Sequence, residues 1–170
     1  MKALTVCQPW AWAILAKIKQ VENRNWFTPY RGPLLIHAGK SLEYMKIIPD
    51  LAGDIQYKFG LTIPDKLEFG AILGSVELVD CLPLGRLAAK YGNLAFAEGP
   101  AYWVLKKARL LLAPIVYRGG MGLFDIPDEV LAGAAWERQC RVCGCTQDDG
   151  CPLGCCWTEE DLCSACSDRE

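Results

Sequence analysis

No apolar run in the 170 residues reaches the 18 or so that a membrane span needs. The opening Met1-Lys2-Ala3-Leu4-Thr5-Val6-Cys7 also lacks the apolar core of a secretory leader. Both absences lead us to expect a cytoplasmic protein with no membrane partner. There is no internal repeat and no low-complexity tract, and 52% hydrophobic against 22% charged residues excludes disordered, collagen-like and fibrous chains. Histidine occurs once, as His37 in an apolar stretch, which suits a hydrogen-bonded structural residue better than a metal ligand. Cysteine is almost missing from residues 1–139, which hold only Cys7 and Cys81.

The remaining eight cysteines, Cys140, Cys143, Cys145, Cys151, Cys155, Cys156, Cys163 and Cys166, fall within the last 31 residues. Charge divides at the same place. Residues 1–139 carry 16 Lys+Arg against 13 Asp+Glu, and residues 140–170 carry 2 against 7, so the net charge of −2 joins a mildly basic body to an acidic tail. A near-neutral total gives no reason by itself to expect nucleic acid, but a basic groove is compatible with such a body.

Short elements separated by glycine and proline run along the body. Gln8 to Ile18 has apolar positions 10, 14 and 18 on one helical face, with Pro9 suited to a first turn. Leu34–Ala38, Gly70–Cys81, Tyr102–Leu105, Leu110–Leu112 and Gly122–Ile126 read as strands, the glycines at 70 and 74 suggesting bulges. Residues 41–59 are expected to hold one or two helices broken near Pro49, Leu84–Tyr91 a helix stopped by Gly92, and Asp128–Arg138 a last helix. The pattern predicts an α+β fold, a small, partly open β-barrel with short helices in its crossings. We divide the chain into a barrel domain, residues 1–130, and a helix with a Cys-rich tail, residues 131–170.

Lys19-Gln20-Val21-Glu22-Asn23-Arg24 follows the first helix. If this stretch is extended, Glu22 and Arg24 share one face. A lysine in a concave, partly dry site loses solvation and becomes a base, while arginine stays charged and can hold a phosphate or a base edge bidentately. Trp26 and Tyr30, in the loop beyond, are the aromatics placed to stack on a base, whereas Trp10 and Trp103 lie in apolar elements and read as core. Arg31 and Lys40 are candidate ligand-binding cations.

Gln8-Pro9-Trp10-Ala11, Lys19-x-x-Glu22-x-Arg24 and Arg31-Gly32-Pro33-Leu34-Leu35-Ile36-His37-Ala38-Gly39-Lys40, with Gly74 to Cys81, Glu98 to Leu105 and Gly119 to Phe124, closely resemble the ASCH domain family, a branch of the PUA-like fold. The resemblance covers roughly residues 2–127. Where the family signature usually starts with glycine, this chain has Lys17. The resemblance implies a β-barrel with a cleft for RNA or a modified nucleoside beside the Lys-x-x-Glu-x-Arg segment. Some members look like amidohydrolases of N4-acetylated cytidine, and one like a ribonuclease. In the amidohydrolase type a lysine, a threonine and a glutamate do the chemistry. Lys19 matches the lysine, Glu22 stands where the threonine would be, and Glu98 is a candidate for the glutamate. An enzyme of this kind would use Lys19 as base or nucleophile activator, Glu22 or Glu98 as proton shuttle and Arg24 as anion holder. A binding cleft without chemistry uses the same residues.

Cys140-x-x-Cys143 and Cys163-x-x-Cys166 have the spacing of two knuckles that close a tetrahedral Zn2+ site. Metal–thiolate bonds then replace the core that about 30 residues cannot build. Cys145, Cys151, Cys155 and Cys156 are left over. A second zinc site, a cluster with shared thiolates, a spare free thiol and an iron–sulfur cluster all remain open on spacing alone. The tail resembles small Cys-rich modules of phage and prophage proteins. With Asp148, Asp149, Glu159, Glu160 and Asp161 it is too acidic to bind phosphate and suits a structural role or a protein partner.

Overall fold

The structure, a computed structural model, describes residues 1–147, 150–152 and 154–167. Six strands form one mixed sheet: β1 (Lys2–Val6), β2 (Val21–Arg24), β3 (Gly32–Ala38), β4 (Ala71–Leu82), β5 (Ala101–Val116) and β6 (Leu123–Asp125). Their order is β2-β5-β4-β3-β1-β6, with β1 parallel to β3 and the other pairs antiparallel. The sheet curls into the expected partly open barrel, leaving β2 and β6 as free edges.

Alternation along the strands separates the two faces. Leu4, Leu34, Ile36, Val76, Leu78, Trp103 and Leu105 fill the concave side, while Ala3, Leu35, Ile72, Leu111 and Ile126 pack on the other. The first helix, α1 (Trp10–Leu15), plugs the concave mouth. Ala11, Ile14 and Leu15 join the barrel core, and Ala13 packs instead with Leu51 and Ile55 of the second helix, α2 (Ile48–Phe59). Burial on both sides explains why α1 is apolar nearly all round. The amide oxygen of the buried Gln8 accepts the Trp12 N–H at 3.1 Å, and its nitrogen donates to the Glu68 carbonyl at 2.8 Å. Lys17, with φ +61°, turns the chain out of the helix before Ile18. Pro49 stands in the first turn of α2 and starts it rather than breaking it, after a 3-10 turn at Met45–Ile47. The third helix, α3 (Leu84–Tyr91), ends at Gly92 as the sequence suggests.

Two elements differ from expectation. The strands expected at Tyr102–Leu105 and Leu110–Leu112 are one strand, β5, which absorbs the Lys106–Lys107 interruption by register shifts against β4 and a positive φ at Lys107. The helix expected over Asp128–Arg138 is only a 3-10 turn at Asp128–Leu131. Beyond Gly133 the chain is extended, with Leu112 donating to Ala135 and Glu137 to Leu110. The open edge of β5 takes up the hydrogen-bonding groups that a helix would have satisfied internally.

The Cys-rich tail carries a two-stranded ribbon, β7 (Trp157–Glu159) and β8 (Leu162–Cys163), and a short helix, α4 (Ser164–Ser167). Gln139 ties it to the barrel by donating to the Ala108 carbonyl at 2.9 Å. His37 is buried between Thr5 and the Tyr117 carbonyl, the structural place expected of it. Among the described residues no helix is long and apolar enough to cross a membrane.

Candidate functional site

Strand β2 pairs with β5 in a register that sets Glu22 opposite Trp103 and Arg24 opposite Ala101. Both charged residues therefore lie on the concave, core-facing side of an edge strand. Lys19 sits just before them, and the three side chains form a row: Lys19 Nζ lies 3.8 Å from Glu22 Oε2, and Arg24 Nη2 lies 3.1 Å from Glu22 Oε1. Their side chains are 2%, 9% and 23% exposed for Lys19, Glu22 and Arg24, so desolvation rises toward Lys19.

Arg24 also donates from Nη2 to the Thr5 carbonyl at 2.7 Å, joining the free edge β2 to β1 across the mouth of the curl. Its Nε is buried with no hydrogen-bond partner among the described residues, an unspent donor within the site. Lys19 is held by the carbonyls of Val21 and Phe96. Asn23 secures the 96–98 loop by donating to Phe96 O at 2.8 Å and accepting from the Glu98 N–H at 3.0 Å.

Burial lowers the pKa of Lys19, opposed by the carboxylates of Glu22 and Glu98. The same burial raises that of Glu22, opposed by Lys19 and Arg24. Burial thus works against the charged form of each group, while the neighbouring charges of the row work for it.

Aromatic rings stand beside this row. Trp10 meets Phe96 at 5.4 Å and Tyr44 at 6.5 Å between ring centroids, and Lys19 Nζ lies 5.6 Å from the Trp10 centroid. Tyr44 is exposed, and the Glu43 carboxylate first, then burial, raise the pKa of its hydroxyl, with Glu22 a lesser contributor. Sequence reasoning placed Trp10 in the core and gave no signal for Tyr44 or Phe96. The two lie in irregular segments with no periodicity, and Phe96 reaches the site through a left-handed backbone at φ +61°.

Lys19, Glu22 and Arg24 are thus brought together, with Glu98 close enough to act on Lys19 through its charge. The other candidates sit elsewhere. Trp26 is half-buried, edge-on to Trp103 at 4.6 Å, and its carbonyl accepts the Trp103 indole N–H. The Tyr30 hydroxyl donates to the Pro33 carbonyl. Arg31 donates to the carbonyls of Thr28 and Tyr30 and pairs with Asp80 at 3.2 Å. The exposed Lys40 lays its alkyl stem over Gly70.

A cavity of about 470 Å³ lies between the barrel and the Cys-rich tail, with Lys17, Lys19, Lys106 and Lys107 on the barrel side and Cys143, Cys145 and Cys151 on the other. In the tail, Cys140, Cys143, Cys145 and Cys163 have sulfurs within 4.8 Å of one another, and so do Cys145, Cys151, Cys155 and Cys163. Sulfur separations of 3.7 Å (Cys143–Cys163), 3.8 Å (Cys145–Cys155) and 3.9 Å (Cys151–Cys163) are far beyond a disulfide bond. They match the edge of about 3.8 Å that a tetrahedron with metal–sulfur bonds of about 2.3 Å would have. The donor set fits a thiophilic metal ion.

Cys166 packs in the same buried cluster without belonging to either four-sulfur group, and Cys156 is exposed. Of the acidic residues, Glu159 and Asp161 pair with Arg141, whereas Asp148 and Asp149 lie outside the described residues.

A family model described as the ASCH domain matches residues 4–119. Activating signal cointegrator 1 from Homo sapiens is 28% identical over 138 residues, and the protein of the same name from Mus musculus 25% over 134. Each alignment takes in 77% of this chain but 23% of the relative, so the chain spans under a quarter of the length of those proteins. The crystal structure of ASCH from Zymomonas mobilis superposes with a TM-score of 0.50 at 14% identity, covering 77% of this chain and 90% of that one. A mutant form of it gives 0.52 at 12% identity, covering 79% and 96%. At such identities the likeness concerns the fold.

Proposed function

The chain belongs to the ASCH domain family, and from that premise we propose that its barrel binds RNA or a modified nucleoside at the Lys19–Glu22–Arg24 row. The observation that carries this reading is the row itself, two charges on the core face of an edge strand and a third just before it, beside Trp10, Tyr44 and Phe96. Two linked cations offer attraction to phosphate, the unspent Arg24 Nε offers a donor, and the rings offer a surface for a base. In this proposal residues 1–130 form the binding unit, and residues 131–170 form a unit held by structural Zn2+. The thiolate tetrahedron edges support zinc.

Equilibrium binding to a panel of short single-stranded RNAs and modified nucleosides, including N4-acetylcytidine, tests the reading. Wild type binds at least one member, and Trp10→Ala and Arg24→Gln each weaken that binding by about 1–3 kcal/mol while remaining folded. A folded wild type that binds none of the panel, or variants that bind as it does, would show the reading to be wrong.

The opposed shifts at Lys19 and Glu22 favour a second reading, hydrolysis of the bound ligand. Lys19 would take a proton from the attacking water, Glu22 or Glu98 would deliver a proton to the leaving group as its bond breaks, and Arg24 would hold the developing anion. Folded Lys19→Ala then loses all turnover of acetylcytidine or RNA; unchanged turnover refutes the assignment.

A further inference from the structure

Six of the eight tail sulfurs gather in two candidate ligand groups, more than one tetrahedral ion can take. The two four-sulfur groups, Cys140/Cys143/Cys145/Cys163 and Cys145/Cys151/Cys155/Cys163, overlap in Cys145 and Cys163. Two separate four-thiolate sites would need all eight tail cysteines, yet Cys156 is exposed and neither it nor Cys166 belongs to either group. We infer that the tail holds two metal ions joined through shared thiolates, with Cys163 as the principal bridge. The inference rests on the proposal that this tail binds zinc, and goes beyond it in stoichiometry and connectivity.

Cys163 stands where a bridge must stand. Its sulfur is 3.7 Å from Cys143 of the first group and 3.9 Å from Cys151 of the second, and these two are themselves 3.7 Å apart, so the groups meet along Cys143, Cys151 and Cys163. These separations equal, within a tenth or two of an ångström, the edge of about 3.8 Å of a zinc–thiolate tetrahedron. It lies in β8 with 0% exposure, fixed on one side by pairing with Trp157 and on the other by the first turn of α4. Cys145, the other shared residue, reaches 3.8 Å from Cys155 and is delivered by the left-handed turn at Gly144, φ +76°.

The charge balance also favours two ions. One divalent ion among six cysteines would leave two or more thiols packed against it without a ligand role. Two ions and six thiols release six protons and give a cluster with a net charge of −2. Lys17 and Lys106, with Lys107 paired to Glu77 at 2.9 Å, line the cavity against Cys143, Cys145 and Cys151, putting positive charge on the barrel side of such a cluster.

Native mass spectrometry of the full chain, with 113Cd NMR after replacement of its metal by 113Cd2+, tests this. The expected result is two ions per chain and two 113Cd resonances, each split by the other through a common sulfur. One ion per chain overturns the shared cluster and leaves the zinc proposal standing. Two unsplit resonances mean independent sites and likewise overturn the bridge. No bound metal, with all thiols open to alkylation, overturns both.

Discussion

Replacing Glu22 by glutamine keeps the shape of the side chain but removes the one negative charge between two cations. Arg24 is 23% exposed and keeps the Thr5 carbonyl as acceptor, so it can meet solvent. Lys19 is 2% exposed and cannot. Most of the penalty therefore falls on Lys19, left charged and buried or forced to give up its proton. Breaking one partner of a buried pair typically costs about 3–5 kcal/mol, a large share of the roughly 5–15 kcal/mol that holds a domain folded. Urea unfolding at pH 7 should show a loss of about that size for Glu22→Gln. The double variant Lys19→Met/Glu22→Gln should recover about half of it or more, because no stranded charge remains.

The pH dependence has a fixed sign. Without Glu22 the folded-state pKa of Lys19 falls further below 10.5, the largest opposing charge being gone. A depressed folded value withholds stability below it and restores it as pH climbs toward 10.5. The deficit of Glu22→Gln is thus greatest near neutrality and shrinks toward pH 10.5. A loss under about 1 kcal/mol at pH 7, strict additivity in the double variant, or a deficit that grows with pH would refute the buried-row argument.

Asp80 is held at a pKa of about 2, first by the hydrogen bond from Lys90, with help from the Cys81 N–H and the Tyr91 hydroxyl. Its stabilisation is present above 3.8 and is lost as pH falls toward 2, so Asp80→Asn should lower Tm at pH 7 and match wild type near pH 2. Gly74 sits at a register shift where an added Cβ would meet the Arg109 carbonyl at 2.4 Å and the Leu15 side chain at 2.8 Å. Gly74→Ala should cost about 1–3 kcal/mol, read as a Tm several degrees lower. Stripping metal with a strong chelator should open residues 140–167 to protease while the near-ultraviolet signal of the barrel tryptophans persists. Unchanged cleavage would count against a metal-held tail.

Periodicity and punctuation revealed much of the barrel. Gly92 ends α3, Leu34–Ala38 is the inner part of β3, and Gly70–Cys81 is β4 shifted by one residue. The misread segments were those decided by distant partners. Nothing local to Asp128–Arg138 reveals that the open edge of β5 will claim residues 135–137, and Lys106–Lys107 looks like a loop because its bulge exists only against β4. The same division holds at the site. Lys19, Glu22 and Arg24 are legible because they lie in one short stretch. Phe96 joins them across 77 residues by its carbonyl, and Tyr44 by a ring contact, neither with any pattern of its own. In the tail, paired Cys-x-x-Cys spacing pointed to Cys166 beside Cys140, Cys143 and Cys163, whereas the described sulfurs group Cys145 with those three.

The central claim is that the Lys19–Glu22–Arg24 row with its aromatic neighbours is where ligand binds. The most direct measurement is a two-dimensional 15N NMR titration of the protein with short single-stranded RNA and modified nucleosides. The account predicts saturable shifts of the Trp10 indole N–H, the Arg24 Nε–H and the backbone of residues 19–24 and 96–98. Shifts confined to Lys106, Lys107 and Cys143 with residues 19–24 unmoved, or none with any ligand of the panel, would contradict it.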